Sequence, residues 1–319
     1  IFLEMNQSEI KIDNASLGKI GLSFKDRFIE GRFSSLDRIN DIEFNRNYNL
    51  PQLNSADQTL RELSLNYSPI QNSFWNTKYG YLKHGDNFSS DRLFSQLNYS
   101  DTKSYQAEFT LDYVNSVNNT MKSNWIRYNG KTFYKIGSFK PGFEYLYEDK
   151  EEKLATGESL LLTSLKYFEA APYIEYNLTS SLDAKVSYSL RDESIPLNGE
   201  MTKQFSAAAQ QFQLNYRGLK EISTSISMSF RNKKYTEEFR KNGFGDNETV
   251  LLLSQSRFNL WNGFITGDLY YQAATEQSAL MEKVFLKVQK GSGNYIYLGD
   301  LNNNGISEEN EFRITAYDG

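Results

Sequence analysis

The stretch SYQAEFTLDYV, residues 104–114, predicts the fold most directly, because apolar and polar residues alternate along its length. A period of two places successive side chains on opposite faces of a β-strand. One face carries Tyr105, Ala107, Phe109, Leu111 and Tyr113, and the other carries Gln106, Glu108, Thr110 and Asp112. Residues 181–191 and 221–231 repeat the pattern. The sequence therefore predicts strands with one apolar and one strongly polar face.

The connections between these strands alternate between short turns and longer polar loops. The short turns are expected at 68–71, 100–103, 128–131, 178–181, 217–220 and 261–264. Two of them contain Asn-Gly, the strongest short hairpin signal. The longer loops are expected at 83–90, 115–123, 148–159, 191–204 and 231–248. Counting the runs between about residue 60 and about residue 275 predicts about twelve strands.

This asymmetry of connections predicts the fold class. Short turns at one end and longer loops at the other are typical of transmembrane barrels. We therefore expect an all-β fold: an antiparallel up-and-down transmembrane β-barrel, or a section of a larger one, with a calcium-loop segment at its C-terminal end. A soluble β-sandwich or solenoid is the alternative, because its strands alternate in the same way.

A recurrent tyrosine supports the prediction of a transmembrane barrel. LNYS occurs at 65–68 and 97–100, LNYR at 214–217 and IEYN at 174–177, each just before a short turn. The sequence thus predicts a tyrosine at the same end of successive hairpins. Tyrosine suits a membrane interface, where its ring contacts lipid and its hydroxyl contacts water.

The composition excludes several classes of function. Cysteine is absent, which excludes disulfides, thiolate metal sites and cysteine nucleophiles. The net charge of −5 provides no basic surface for nucleic acid. His84 is the single histidine and lies near Asp86, Ser89 and Ser90. It leaves only a weak case for an outer-membrane hydrolase, and we expect no enzyme activity.

Three segments are expected along the chain. Residues 1–55 form an N-terminal strand segment that is either a periplasmic or plug segment or the preceding hairpin, and the sequence leaves both open. Residues 56–280 form the barrel meander, and residues 281–319 form a β-segment with the calcium loop. No run of 18 apolar residues occurs, which excludes a transmembrane helix. We expect the chain to be a piece of a larger protein.

The stretch GDLNNNGISEENEF, residues 299–312, has the ligand spacing of an EF-hand calcium loop. A calcium ion takes six to eight oxygen ligands, and Gly305 permits the sharp turn between them. The predicted ligands are Asp300, Asn302, Asn304, Ile306 through its carbonyl, Glu308 and Glu311. The flanking sequences read as strands rather than helices, so we expect a calcium-stapled β-loop. A solvated Asn-Gly turn is the alternative.

A resemblance is carried by residues 291–312, GSGNYIYLGDLNNNGISEENEF. This segment is similar to one in large outer-membrane β-barrel proteins of the Bacteroidota type. The matching positions are Gly291, Gly293, Tyr295, Asp300, Asn302, Asn304, Gly305, Glu311 and Phe312. IEFNRNYNL, residues 42–50, resembles a further segment of such proteins. The resemblance implies the outer membrane of a Gram-negative bacterium, and some members of the class act in protein export through the type 9 secretion translocon.

Together these observations predict a non-enzymatic outer-membrane β-barrel involved in transport, protein export or outer-membrane assembly. Its expected partners are outer-membrane lipid and other outer-membrane or periplasmic proteins, with no nucleic acid. The polar face is expected to line a lumen; it includes Gln106, Glu108, Asp112, Gln211, Gln213, Asn215 and the serines at 223–229. The alternative is a secreted or surface-anchored calcium-binding β-protein for adhesion or glycan binding.

Overall fold

The computed structural model describes the chain except for residues 13–14, 34–39, 52–54, 102, 180, 220, 276–294, 300–310 and 315–319. It divides into two compact units, Ile1–Gln277 and Ser278–Gly319. Both units are built from β-strands among the residues described, and the only helices there are short. The predicted all-β class is confirmed.

The first unit is one antiparallel sheet of 14 strands in which each strand pairs with the next along the chain. The strands are β1 (Phe2–Ile12), β2 (Ala15–Ile29), β3 (Gln58–Ser68), β4 (Ser73–His84), β5 (Phe88–Ser100), β6 (Tyr105–Asn118), β7 (Met121–Tyr134), β8 (Phe139–Leu154), β9 (Leu165–Thr179), β10 (Leu182–Leu197), β11 (Glu200–Leu219), β12 (Ile222–Tyr235), β13 (Asn247–Leu260) and β14 (Ile265–Thr275). The predicted up-and-down order is confirmed.

The sheet is not closed into a barrel. Among the described residues, β1 pairs only with β2 and β14 pairs only with β13. The register of β1 with β2 shifts between Met5 and Ser8 and again between Ile10 and Lys11. Of the two expectations, a barrel or a section of a larger one, the described sheet is not a barrel closed by itself, since its first and last strands each pair on one side only.

The predicted loops are corrected in three places. Residues 83–90, 115–123 and 191–204 belong mostly to paired strands with tight turns at 85–87, 119–120 and 198–199. Their polar residues pair across the ladder, as Ser116 does with Ser123, so polarity there marks a hairpin and not a loop. Long connections remain at 30–57, 155–164 and 236–246. All of them lie at the same end of the sheet.

The predicted turn at 128–131 is also wrong. Gly130 lies inside β7 and the chain turns at 135–138. A Cβ atom at Gly130 would lie 2.3 Å from Cε1 of Tyr145 on β8. The glycine therefore makes room for a neighbouring ring, a use of glycine that a local turn signal cannot distinguish.

Side-chain oxygens close two of the short turns. The Asp101 carboxylate accepts hydrogen bonds from the backbone N–H groups of Lys103, Ser104 and Tyr105, at 2.9, 2.6 and 2.8 Å. The bonds from Tyr105 and then Ser104 lower the pKa of Asp101. In the next hairpin, the side-chain carbonyl of Asn118 accepts two similar bonds, from the backbone N–H groups of Thr120 and Met121.

Two short helices, α1 (Phe44–Asn47) and α2 (Glu237–Lys241), lie in the long connections. Phe44 and Tyr48 pack against Leu60, Leu82 and Phe88 to form the main hydrophobic cluster. The second unit contributes a small hairpin of β15 (Tyr295–Tyr297) and β16 (Phe312–Ile314).

Candidate functional site

One face of the sheet, here called the apolar face, carries a band without charged residues in each strand from β6 to β14. Directly paired residues share a face, which places Phe109, Gly130 and Leu97 together. Each band covers nine residues of its strand, for example 105 to 113, of which every second one lies on this face. The bands are Tyr105–Tyr113, Ile126–Tyr134, Phe139–Tyr147, Phe168–Tyr176, Leu182–Leu190, Ala208–Tyr216, Ile222–Phe230, Val250–Phe258 and Ile265–Ala273.

The large side chains of the apolar face are exposed. Ile174 and Val186, both near the middle of their bands, are 52% and 55% exposed. The buried hydrophobic side chains of the strands lie on the opposite face; they are Leu60, Leu82, Phe88, Val114, Trp125, Tyr173, Phe205 and Ala207. A one-sided sheet in water buries its apolar face, so this distribution is inverted.

A row of polar residues ends the apolar bands at the end of the sheet that has the long connections. The row consists of Asp91, Asn115, Asn124, Asp149, Lys166, Asp192, Ser206, Asn232 and Glu248, here called the polar border. Neighbouring members bond across strands: Asn115 Nδ2 donates to Asn124 Oδ1 at 2.9 Å. Ser206 Oγ likewise donates to Asp192 Oδ1 at 2.7 Å. The bands therefore stop at a common, polar level.

Aromatic residues mark the other end of the bands. Tyr67, Tyr99, Tyr176 and Tyr216 lie on the apolar face near the short turns, where the sequence predicts them. They pack on aromatic neighbours: the rings of Tyr99 and Tyr105 lie 5.9 Å apart, and Tyr176 lies 4.7 Å from Phe139. The apolar face is thus bounded by aromatic rings at one end and by the polar border at the other.

The opposite face, here called the polar face, carries an ion cluster on β5, β6 and β7. Arg92 donates two hydrogen bonds to Asp112, from Nε at 2.8 Å and from Nη2 at 2.9 Å. Arg127 donates a third, from Nη2 to Asp112 Oδ2 at 2.7 Å. All three side chains are nearly buried, with 10 to 13% exposed. One carboxylate therefore neutralises only one of two adjacent guanidinium groups.

Residues 40–51, here called the covering segment, lie over this part of the polar face. The Tyr48 hydroxyl donates to Glu62 Oε1 at 3.0 Å, and Asn49 Nδ2 donates to Ser116 Oγ at 2.9 Å. The guanidinium of Arg92 lies 5.9 Å from the centre of the Tyr48 ring. The segment therefore makes polar contacts with β3, β5 and β6 in addition to the hydrophobic cluster that it forms with the strands.

Tyr48 occupies a space that a glycine leaves open. A Cβ atom at Gly80 on β4 would lie 2.2 Å from the Tyr48 hydroxyl oxygen. Only 2% of Tyr48 is exposed. Burial, and next the carboxylate of Glu62, raises the pKa of Tyr48 above its usual range, so the hydroxyl stays protonated and donates.

A cleft of about 390 Å³ opens between the covering segment and strands β5 to β8. The Lys150 ammonium contacts Glu152 Oε1 at 2.8 Å at its wall, and Asn49 Nδ2 lies 3.4 Å from the same oxygen. Ser123, also in the wall, is buried and its hydroxyl has no hydrogen-bond partner. The wall of the cleft therefore combines these polar groups with apolar ones, such as Phe88, Met121 and Trp125.

On the polar face over β10 to β12, small and neutral residues lie among charged ones. Ser187, Ser189, Gln211 and Gln213 line a pocket of about 140 Å³ together with the charged residues Glu144, Glu169 and Lys185. The serines at 223–229 continue the same face on β12. The residues expected to line a lumen all lie on this face, as the strand registers show. They include Gln106, Glu108 and Asp112, which are several strands away on β6.

Most of the predicted calcium ligands, Asp300, Asn302, Asn304, Ile306 and Glu308, lie outside the described residues. Glu311 is described, and its side chain is fully buried. The flanking strands β15 and β16 pair antiparallel, as Tyr297 does with Phe312, so the loop closes a hairpin and not a helix pair. Within the described ranges, no group of three or more acidic or histidine side chains could hold a metal ion.

His84 is not brought into a nucleophilic arrangement with its sequence neighbours. The Asp86 carboxylate lies 2.9 Å from the Lys83 ammonium. Ser89 lies opposite Lys83 and so on the other face of the sheet, and Ser90 lies opposite Leu82. The described contacts therefore give His84 no acid or hydroxyl partner among these three.

Neither comparison with known proteins supplies a relative. No family model matches the chain, and no curated protein matches it. In the described part of the chain, no helix is long and apolar enough to cross a membrane.

Several residues of the polar face were not found from the sequence. They are Arg92, Arg127, Trp125, Lys150 and Glu152, together with the packing of residues 40–51. A usable signal was present, because opposite charges occupy the polar positions of adjacent predicted strands. Pairing these charges correctly requires the register between strands, which the sequence does not give. The face on which Asp112 lies could be predicted without that register, from alternation alone.

Proposed function

We propose that this chain forms part of the wall of a β-barrel in the outer membrane of a Gram-negative bacterium. One observation carries the proposal: nine consecutive strands, β6 to β14, each have a nine-residue band free of charge on one exposed face. Nine residues extend about 27 Å along a strand at roughly 3.4 Å per step over eight steps. A tilted transmembrane strand needs about 9 to 11 residues.

The two limits of the apolar face support this placement. The polar border would lie at one membrane interface, where Asn115 and Asn124 bond each other and remain accessible to headgroups and water. Tyr67, Tyr99, Tyr176 and Tyr216 would lie at the other interface, as aromatic girdles do in such barrels. Outer-membrane lipid is then the partner of the whole apolar face.

The backbone groups at the two edges of the described sheet would need hydrogen-bond partners in a membrane. Inside hydrocarbon, unpaired backbone N–H and C=O groups cost several kcal/mol each. The edges of β1 and β14 are unpaired in the described sheet. We therefore propose that these edges pair with further strands in the membrane, so that the 14 strands form a section of a larger barrel.

The polar face supports a role in transport or protein export rather than catalysis. Charged, hydroxyl and amide groups line it from β3 to β13, and the described contacts give His84 no partner among Asp86, Ser89 and Ser90. A face of this kind suits an aqueous lumen. Other outer-membrane or periplasmic proteins would act with such a wall, and nucleic acid would not.

Membrane fractionation tests the proposal. Cells that express the full-length protein are separated into outer-membrane, periplasmic and culture fractions, and the membranes are washed at high salt and high pH. We expect the protein to stay in the outer-membrane fraction after both washes, because its contacts with lipid are apolar. Recovery in a soluble fraction would contradict the proposal and favour the secreted calcium-binding adhesin.

We also propose that residues 300–311 bind calcium, with Asp300, Asn302, Asn304, Ile306, Glu308 and Glu311 as ligands. The proposal is supported by the oxygen spacing, by the paired flanks of the loop and by the buried carboxylate of Glu311. Two asparagines lower the ligand charge, which favours weak binding, with a dissociation constant of about 10⁻⁴ to 10⁻³ M. A bound ion would then tie the loop closed.

Calcium removal should destabilise the hairpin. At about 1 mM calcium, binding of this strength adds about 0.4 to 1.4 kcal/mol to the free energy of unfolding. Thermal melts of the full-length protein with calcium and with a chelator should differ, and the difference should vanish in Asn302→Ala. Asn303→Ala, at a non-ligand position of the same loop, is the matched control. Equal melts in the parent protein would rule out the site.

A further inference from the structure

We propose that the covering segment is a reversible gate that closes part of the polar face and leaves it when a solute or passenger protein enters. This inference rests on the proposed function, since a gate needs a lumen. The segment lies on the face that would line the lumen and not on the apolar face. Its described contacts with the strands include those of Asn40, Phe44, Tyr48, Asn49 and Leu50.

The covering segment is held on the polar face by both apolar contacts and hydrogen bonds. The apolar part is the main hydrophobic cluster, in which Phe44, Tyr48 and Leu50 pack against Leu60, Leu82 and Phe88. The other contacts are single hydrogen bonds to polar side chains, such as Asn49 to Ser116 at 2.9 Å. No described residue of the segment adds a strand to the sheet. Leaving the face therefore breaks no ladder.

The surface beneath the segment has an apolar part, formed by Leu60, Leu82 and Phe88, and a charged part. In the charged part, Arg92 and Arg127 share Asp112 through three hydrogen bonds that do not involve the segment. Covering this part is costly, because buried charges lose their hydration. The ion cluster keeps its internal bonds whether the segment is present or absent.

The closed state also leaves buried polar atoms unsatisfied. The hydroxyls of Ser90 and Ser123 and the Nε atom of Arg127 are buried without a hydrogen-bond partner. Each would gain a hydrogen bond if opening admitted water to it. These losses in the closed state oppose the apolar contacts of Phe44 and Tyr48 and so lower the free-energy cost of opening.

The cleft provides a place where opening can begin. It runs along the segment at Asn45, Arg46, Asn49, Leu50 and Pro51, and faces Lys150 and Glu152 on β8. Solvent or a polar solute in this cleft competes for Asn49, which bonds both Ser116 and Glu152. Separation of Asn49 from β6 and β8 is therefore the expected first step.

The absence of cysteine permits a direct test. In the full-length protein, Asn49→Cys with Ser116→Cys places two thiols where a 2.9 Å hydrogen bond now joins the segment to β6. Solute flux into proteoliposomes is measured after oxidation, confirmed by mass spectrometry, and again after reduction with dithiothreitol. We expect at least a tenfold lower flux when the bridge is oxidised, and recovery when it is reduced.

Two further variants separate the gate from other causes. Asn115→Cys with Asn124→Cys bridges β6 and β7 on the opposite face, where the side chains are also 2.9 Å apart, and should leave flux unchanged on oxidation. Tyr48→Ala removes the main apolar anchor and should raise flux severalfold.

The outcomes distinguish the gate from the proposed function. If the protein resists membrane washes and conducts, but flux is the same with the Asn49–Ser116 bridge oxidised or reduced, the gate is wrong and the membrane proposal stands. A membrane-inserted protein that stays impermeable even as Tyr48→Ala also overturns the gate, because another part of the chain then closes the lumen. Recovery in soluble fractions overturns both.

Discussion

Ile226→Arg is expected to lower the free energy of unfolding in a lipid bilayer by about 2 to 4 kcal/mol, the cost of an arginine at the bilayer midplane on the lipid face of a barrel. Ile226 is the third of five apolar-face residues in the β12 band, opposite Leu214 on β11 and Ser254 on β13. An arginine there cannot reach either interface without distorting its strand. In equilibrium terms the loss is roughly 30- to 900-fold.

The neighbouring residue supplies the control. Ser227 lies on the polar face of the same strand, opposite Gln213 and Leu253. Ser227→Arg adds the same charge at the same depth but toward the lumen, and should change stability by less than about 0.5 kcal/mol. Urea titrations of the full-length protein folded in phosphatidylcholine vesicles would measure both. Equal losses for the two variants would contradict the assignment of the faces.

The face of the sheet on which each residue lies could be predicted from the sequence, because alternation is a local property. SYQAEFTLDYV assigns Phe109 and Asp112 to opposite faces without any knowledge of neighbours, and the structure agrees. The up-and-down order followed from the connections. Both are consequences of period two and of chain continuity.

What the sequence could not predict depends on pairs of distant residues. Asn129-Gly130 predicted a turn, whereas the reason for the glycine is its contact with Tyr145, which lies on another strand. The polar hairpins at 115–123 and 191–204 looked like loops because their partners are themselves polar. The packing of Tyr48 over Gly80 joins residues that share no local pattern. In each case the missing information was the register between strands or the path of a long connection.

Asp112→Ala is expected to be the most damaging single change on the polar face, with a loss of about 3 to 5 kcal/mol. Its carboxylate is the shared acceptor of Arg92 and Arg127, whose side chains are each 13% exposed. Removing it leaves two nearly buried positive charges next to each other without their acceptor. The large cost is that of the orphaned arginines and not the net contribution of the ion pairs.

An exposed pair with the same Nε–Oδ1 distance provides a comparison for the effect of burial. Arg257 Nε lies 2.8 Å from Asp268 Oδ1, the same distance as Arg92 Nε from Asp112 Oδ1, but its two side chains are 72% and 58% exposed. Asp268→Ala should therefore cost far less stability than Asp112→Ala. Adding Arg127→Met to Asp112→Ala should recover part of the loss, because one unpaired charge is removed. Similar costs for Asp112→Ala and Asp268→Ala in urea titrations would show that the cluster is solvated and that the covering segment does not exclude water from it.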